Sequence, residues 1–460
     1  MRTHIYNFVM TATLLIGSNL IINANAVPRA VKPVVEVEED LYTYKPADNG
    51  AGPMWTAGNT CIVRVGKAVI ASGLDTLADY KPLNNVRWTL YQRKDAGWEL
   101  KRRGDDTHER EPCPLVIYPD GRLFLSTNPN DCKPDEYDGK ATPTLLQFNA
   151  REITKTPTAL FPIWDRPIDF HGHTYRSYVA DGKSKEQLLI YNTAYDRFYW
   201  SFRDSRGHWA KQGAFDFPWG AEYDVPEPVR ICYPTVALKD RKVFFCGVSD
   251  VVEPYKTWRT YKKELTGADW DYDFRRLFFT WSDDITIGKF HTWVEISTRD
   301  KTCGWLFPND LHVGPSGVVH LLWSERAIDD RLRVKFFPDA KQSIALNYAI
   351  VRDGKVVMRK AIQEWKVGDA SGERAGNGRF QVSPDGRLFV IYYVGGNVSE
   401  NRIVEVLKDG VIGQAVKVPL QKPLSSFYTA TPRAGCAPSY TIDMLGDLGG
   451  TMRYARVRLK

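Results

Sequence analysis

The sequence has no C-x-x-C pair, no block of lysine and arginine, and no long apolar stripe at helical spacing; after its first 26 residues it has no apolar run long enough to cross a bilayer. Each absence removes a class of protein. Without paired cysteines there is no zinc ribbon. Without a basic tract there is no electrostatic footprint for nucleic acid, because the net charge of +7 is spread over interspersed acids and bases. Without 3.6-residue periodicity there is no helical bundle. Without a spanning run the mature chain is expected to be free of the membrane. The seven cysteines are odd in number, so at least one thiol stays unpaired. Cys232 and Cys246 flank a turn at Lys239-Asp240 and could face each other across a hairpin; a buried free cysteine otherwise acts as a small apolar residue.

What is present begins with a targeting segment. Arg2, an apolar stretch from Phe8 to Ile22 and small residues at Ala24-Asn25-Ala26 follow the order of a secretory signal peptide. Residues 1–26 are therefore expected to be removed, leaving a secreted or periplasmic protein in an environment that permits disulfides. Aromatic residues are frequent, at 13% with 14 Trp and 23 Tyr, which suits strands and sugar-binding surfaces.

A turn pattern recurs along the chain. Pro119-Asp120-Gly121-Arg122 leads into Leu123-Phe124-Leu125, Pro384-Asp385-Gly386-Arg387 into Leu388-Phe389-Val390, and Pro315-Ser316-Gly317 into Val318 to Trp323. Looser copies stand at Val65-Gly66-Lys67, Asp181-Gly182-Lys183 and Lys239-Asp240-Arg241. Asp-Gly supplies hairpin geometry, and the apolar run after it reads as a strand buried on both faces. Unit starts near Asn59, Cys113, His173, Tyr233, His312, Arg379 and Cys436 recur at roughly fifty to eighty residues, a blade-like period. The fold expected is all-β, a seven-bladed β-propeller. Its last unit has room for only one hairpin, Ser439–Leu445 with Thr451–Leu459, so the strand-like segment Val34–Tyr44 is expected to join that blade and close the ring. The expected division is a signal peptide over 1–26, a segment with the closing strand over 27–50, and the propeller over 51–460.

One further motif carries a resemblance. Ser282-Asp283-Asp284, running through Gly288 to Trp293, resembles a stretched Asp-box, with looser copies at Asp204 to Trp209 and Asp95 to Trp98. With Asp310 to Gly317, the chain resembles the BNR-repeat, sialidase-like propellers. Within that superfamily it is nearest in kind to polysaccharide lyases of the ulvan-lyase or rhamnose–glucuronate-lyase type. The Asp-box is structural there, so it speaks for fold and not for chemistry.

Blade-start residues converge on an axial funnel, and here they are chemically biased: Trp55 and Asn59, Arg110 and Glu111, His171, His173 and Tyr175, Arg230 and Tyr233, Asp310 and His312, Arg379, and Arg433. Converging arginines suit a carboxylate, which matches the guanidinium fork, so the expected partner is an acidic polysaccharide or oligosaccharide. His171 and His173, two apart, would share a strand face, but no third ligand follows. The cofactor is thus unknown: no metal ligand set is assigned, and a structural divalent cation stays open. The lyases resembled use a trio of His, Tyr and Arg, which implies His173 as base, Tyr233 as acid and Arg230 as carboxylate neutraliser. His171, Tyr175, His312, Arg379, Arg433, Asn59 and Glu111 are the expected substrate-binding groups. A glycoside hydrolase is the alternative, with Glu111 and Asp310 as its carboxyl pair, although the Arg-Ile-Pro start of sialidases is missing. A non-catalytic glycan binder using Trp55, Trp200, Trp219 and Trp305 as platforms is the third reading. A monomer is expected.

Overall fold

The repeating turns fold as hairpins because their residues satisfy the backbone locally. In the second, Gly121 takes φ 90°, where a side chain is disfavoured, and Asp120 Oδ1 accepts the Arg122 N–H at 3.1 Å. The computed structural model describes residues 31–193 and 195–460, so the expected signal segment lies outside the described residues. Such hairpins assemble into seven four-stranded antiparallel sheets, the blades of a propeller. We number the blades 1–7 in chain order and label their strands A to D from the axis outward. The A strands are Ile62–Val65, Leu115–Ile117, Ser177–Asp181, Ile231–Lys239, Trp305–Val313, Glu373–Val382 and Phe427–Thr429. Neighbouring A strands touch all the way round, blade 7 meeting blade 1. The core lies between blades; Val63, Ile70 and Leu90 of blade 1, for example, pack with Val116, Phe124 and Leu145 of blade 2.

The ring closes through the N-terminal strand. Pro33–Thr43 pairs antiparallel with Thr451–Leu459, from Pro33 opposite Leu459 to Thr43 opposite Thr451, and so supplies strand D of blade 7. The three Asp-box-like segments all fall between strands C and D, in blades 1, 3 and 4. Two helices, α1 (Lys256–Thr266) and α2 (Asp330–Phe336), sit in the B–C connections of blades 4 and 5. Among the described residues no helix is long and apolar enough to cross a membrane. Cys232 stands opposite Val248 and Cys246 opposite Thr235 across an irregular register, so the two thiols do not face each other, and all seven cysteines are free and buried.

The structure corrects the expected starts of blades 5 to 7. The A strands of blades 5 and 6 run 9 and 10 residues, against 3 in blade 2 and 5 in blade 3. His312 therefore lies near the far end of its strand, beside the A–B turn, and Arg379 lies in mid-strand. In blade 7 strand A is Phe427–Thr429, and Arg433 and Cys436 follow it.

The segment after that strand crosses the axis. Ala434 bridges in parallel to Ala180 of blade 3, and its carbonyl accepts from Ile117 N of blade 2. Gly435 is at φ 82°, and a Cβ there would meet the Ile117 carbonyl oxygen at 2.0 Å. Arg433 is buried; it donates to Asp310 Oδ1 at 2.6 and 3.1 Å and to the carbonyls of Gly58 and Val236. Arg433→Met should strand the Asp310 charge and cost about 3–5 kcal/mol, read as a lowered midpoint of chemical denaturation. An unchanged midpoint would show that the clamp holds nothing.

Candidate functional site

The rim at which the A strands begin gathers a reactive cluster from blades 1, 2, 3 and 4. His173 and Tyr175 lie in the irregular segment before strand A of blade 3, Arg230 just before strand A of blade 4, and Tyr233 in that strand. Two constraints aim the tyrosines. Tyr175 and Tyr233 hold φ of 39° and 50°, a region disfavoured for side chains of this size. Tyr233 also sits where pairing slips between Cys232 and Thr235, a bulge that re-aims its side chain.

The rings make one surface. Trp55 stacks on Tyr175 at 5.0 Å and lies 5.1 Å from His173; His173 and Tyr175 are 4.5 Å apart, and Tyr175 and Tyr233 5.1 Å. The Arg230 guanidinium lies over Tyr175 at 5.1 Å and over the exposed Tyr195 at 4.7 Å. Its Nη1 donates to Asp250 Oδ2 at 2.9 Å, and its Nε has no hydrogen-bond partner among the described residues. That Nε is shielded from solvent, and Arg230 lines a cleft of about 860 Å³ that carries Asp196, Asp224, Glu227 and Glu253 as well as Lys256 and Arg259.

Behind His173 stands a buried charge network. Glu111 accepts from Thr174 N at 2.7 Å and Thr174 Oγ1 at 2.8 Å, and its Oε1 is 3.2 Å from His173 Nδ1. Arg176, also buried, has Nη1 3.9 Å from Glu111 and Nη2 3.8 Å from Glu109. Burial alone would raise the Glu111 carboxyl, but His173, Arg176 and the Thr174 N–H together hold it below the ordinary range. Burial raises Asp250, with Arg230, His173 and the Tyr175 hydroxyl pulling it part of the way back. Burial, with the nearby Cys232 and Asp250, pushes both Tyr175 and Tyr233 upward, so both stay protonated at ordinary pH.

Of the residues singled out in the sequence, Trp55, His173, Tyr175, Tyr233 and Arg230 come together here, with Glu111 beneath them. The others do not. His171 is more than half exposed and turns to Asp138, its Nδ1 3.3 Å from Oδ2. It shares no strand face with His173, because strand A begins only at Ser177. Asn59 is buried and ties blade 1 to blade 3, donating to the Arg176 carbonyl and accepting from Tyr178 N. Arg379 donates to the carbonyls of Phe427 and Asn309, so it and Arg433 hold blades together and offer no open fork. Asp310 is committed to Arg433 and to the N–H groups of Leu311 and Phe380, which removes it as a hydrolytic carboxyl facing Glu111 across a bond. Trp200 is fully buried and is no platform, whereas Trp219 is exposed and Trp55 and Trp305 half-buried. Sequence reasoning missed Asp250, Arg176 and Tyr195. Asp250 follows strand B of blade 4, where blade-start spacing gives no signal.

His312 lies in the wall of its blade near the opposite rim, against His320 and Phe380. Burial, with the positive groups His320, Lys239 and Arg433 nearby, pushes it from 6.5 down to about 3. The folded state keeps it neutral, while the unfolded chain takes up a proton below about 6.5. Its contribution is therefore full above that pH and is lost as pH falls toward about 3. In His312→Gln the stability gap between about pH 7 and about pH 4.5 should be smaller than in wild type, measured by denaturant midpoints at each pH. An equal gap would place the acid sensitivity elsewhere.

No family model matches this chain, and no curated protein matches it. Solved structures of the same fold do. One, a polysaccharide lyase of family PL25 described as an ulvan lyase, has a TM-score of 0.56 at 9% identity, covering 91% of this chain and 95% of its own. The same kind of lyase bound to -[GlcA(1-4)Rha3S]- has a TM-score of 0.55 at 10% identity over 91% and 95% of the two chains. The polysaccharide lyase Uly1 reaches 0.49 at 10% identity over 92% and 93%. The two likenesses above 0.5 show the same fold.

Proposed function

We propose that this protein is an exported polysaccharide lyase that cleaves a uronate-containing glycan by β-elimination. The observation that carries this is the meeting of His173, Tyr233 and Arg230 at one aromatic rim, each in a state suited to a different part of that reaction. Elimination removes the C5 proton, forms the C4–C5 double bond and breaks the C4–O bond. It requires a base, a proton for the departing oxygen and neutralisation of the carboxylate. Glu111 beside Nδ1 favours the tautomer that leaves His173 Nε2 free to take the C5 proton. Tyr233, kept protonated by burial, gives its proton to the departing oxygen. Arg230 meets the carboxylate with the donors that Asp250 does not use, so the charge that develops on it is stabilised. The ulvan lyases among the fold neighbours, one of them bound to a glucuronate-containing oligosaccharide, support the same substrate class.

The test is incubation with a panel of acidic polysaccharides, followed by the ultraviolet absorbance of an unsaturated uronate. His173→Ala should lose nearly all turnover with little change in melting temperature, because the ring is partly open and outside the core. Arg230→Lys should weaken turnover by about tenfold or more, since the planar fork is lost. Reducing ends without unsaturation would make the enzyme a hydrolase. Glycan binding by wild type with no cleavage would make it a binding propeller. A folded His173→Ala protein with wild-type turnover would remove the histidine from the mechanism, and equal turnover of native and carboxyl-reduced polysaccharide would remove the role given to Arg230.

A further inference from the structure

The aromatic surface does not end at Tyr233. Tyr233 meets Phe307 at 4.8 Å, and Phe307 stacks on Trp305 at 5.5 Å with planes 12° apart. With Trp55 and Tyr175 this makes an unbroken ladder of five rings from blade 1 to blade 5. Trp305 and Phe307 are two apart on strand A of blade 5, so they project from one face, while Leu306 between them is fully buried on the other. Both are half-buried, and they floor a cleft of about 450 Å³ walled by Asn309, Ser324, Gly376 and Asn377.

The chemistry of this cleft differs from that around Arg230. Its carboxylate, Glu325, is fully engaged: Trp323 Nε1, Asn347, Ser297, Arg299 and Arg359 all bond to it. Its inner polar groups are neutral. Asn309 Nδ2 donates to Ser324 Oγ at 2.8 Å, whereas Asn377 Oδ1 is shielded from solvent and has no hydrogen-bond partner among the described residues. One cation, Arg326, is exposed at the rim. A flat aromatic pair walled by neutral amide and hydroxyl groups fits the apolar face of an uncharged pyranose ring.

We infer that the Trp305–Phe307 cleft is a subsite for an uncharged sugar of the same chain whose uronate lies at Arg230. The inference rests on the lyase reading and narrows it. The substrate is a heteropolymer in which uronates are separated by uncharged rings, and the chain is bound on both sides of the reacting bond.

The experiment measures cleavage of alginate and polygalacturonate, in which every ring is a uronate, of hyaluronan and gellan, in which uronates are separated by uncharged rings, and of ulvan, in which the separating ring is sulfated. Hyaluronan and gellan should be preferred; a preference for ulvan overturns the assignment to an uncharged ring. On the better of these two, Trp305→Ala should raise KM by about tenfold with kcat nearly kept, and Trp305→Phe should restore most of the loss. The KM ratio should persist at high salt, because the contact is not ionic. A preference for all-uronate polymers, or a KM unchanged in a folded Trp305→Ala protein, overturns the subsite and leaves the lyase reading standing. A KM ratio abolished by salt overturns the assignment to an uncharged ring. Cleavage of none of the five overturns both readings.

Discussion

The ring is held from within by a charge. Arg433 and Asp310 lie at the axis, both almost fully buried, where an unpaired ion would be intolerable. The pair is sustained because its remaining bonding capacity is also used. The guanidinium donates to Asp310 and to two carbonyls, while the carboxylate also receives the N–H groups of Leu311 and Phe380. One interaction thereby links residues of blades 1, 4, 5, 6 and 7. The outer seam, Pro33–Thr43 against Thr451–Leu459, holds the same ring from its circumference. Between these two restraints the A strands converge at fixed spacing, and the rim can bring side chains from distant parts of the sequence to one place.

Within that frame the site is built by departures from regular strand. Two tyrosines at positive φ, and a bulge where Tyr233 stands, cost backbone energy that packing must offset. The offset is visible in the surroundings: Trp55, His173 and Phe307 crowd the two phenol rings from three sides. Beneath, Arg176 stands between Glu109 and Glu111, a buried cation flanked by two carboxylates. Glu111 is the one of the two that reaches His173, so the imidazole rests on a group fixed from below by Arg176 and Thr174.

The hairpins were legible because tight turns require particular residues: Asp120-Gly121, Asp181-Gly182 and Asp385-Gly386 mark A–B connections, whereas Asp353-Gly354 and Asp409-Gly410 join strands C and D. The closing strand was legible because a four-stranded blade cannot be made from one C-terminal hairpin. The position of the rim was less so. A turn marks one end of an inner strand, and the other end follows only if the strand's length is known. In blades 2 and 3 the strands are short, so residues just before the turn lie near the rim, and Glu111, His173 and Tyr175 were found. In blades 5 and 6 the strands are long and bulged, so the same reasoning placed His312 and Arg379 at a rim they do not reach. Asp250 and Tyr195 come from connections between other strands, whose positions no turn spacing encodes.

The division of labour at the rim follows from burial more than from residue type. Both tyrosines have their ionised forms disfavoured, so they enter any reaction as proton donors and not as bases. They are not equivalent in place. Tyr175 is enclosed by Trp55, His173 and Tyr233 with the Arg230 guanidinium over its ring, whereas Tyr233 also touches Phe307 on the far side. On the lyase mechanism proposed above, Tyr233 as acid would stand between the arginine that would hold a uronate and the aromatic floor leading to Trp305. The departing oxygen would have to occupy that same interval, because the bond to be broken joins the uronate to its neighbour.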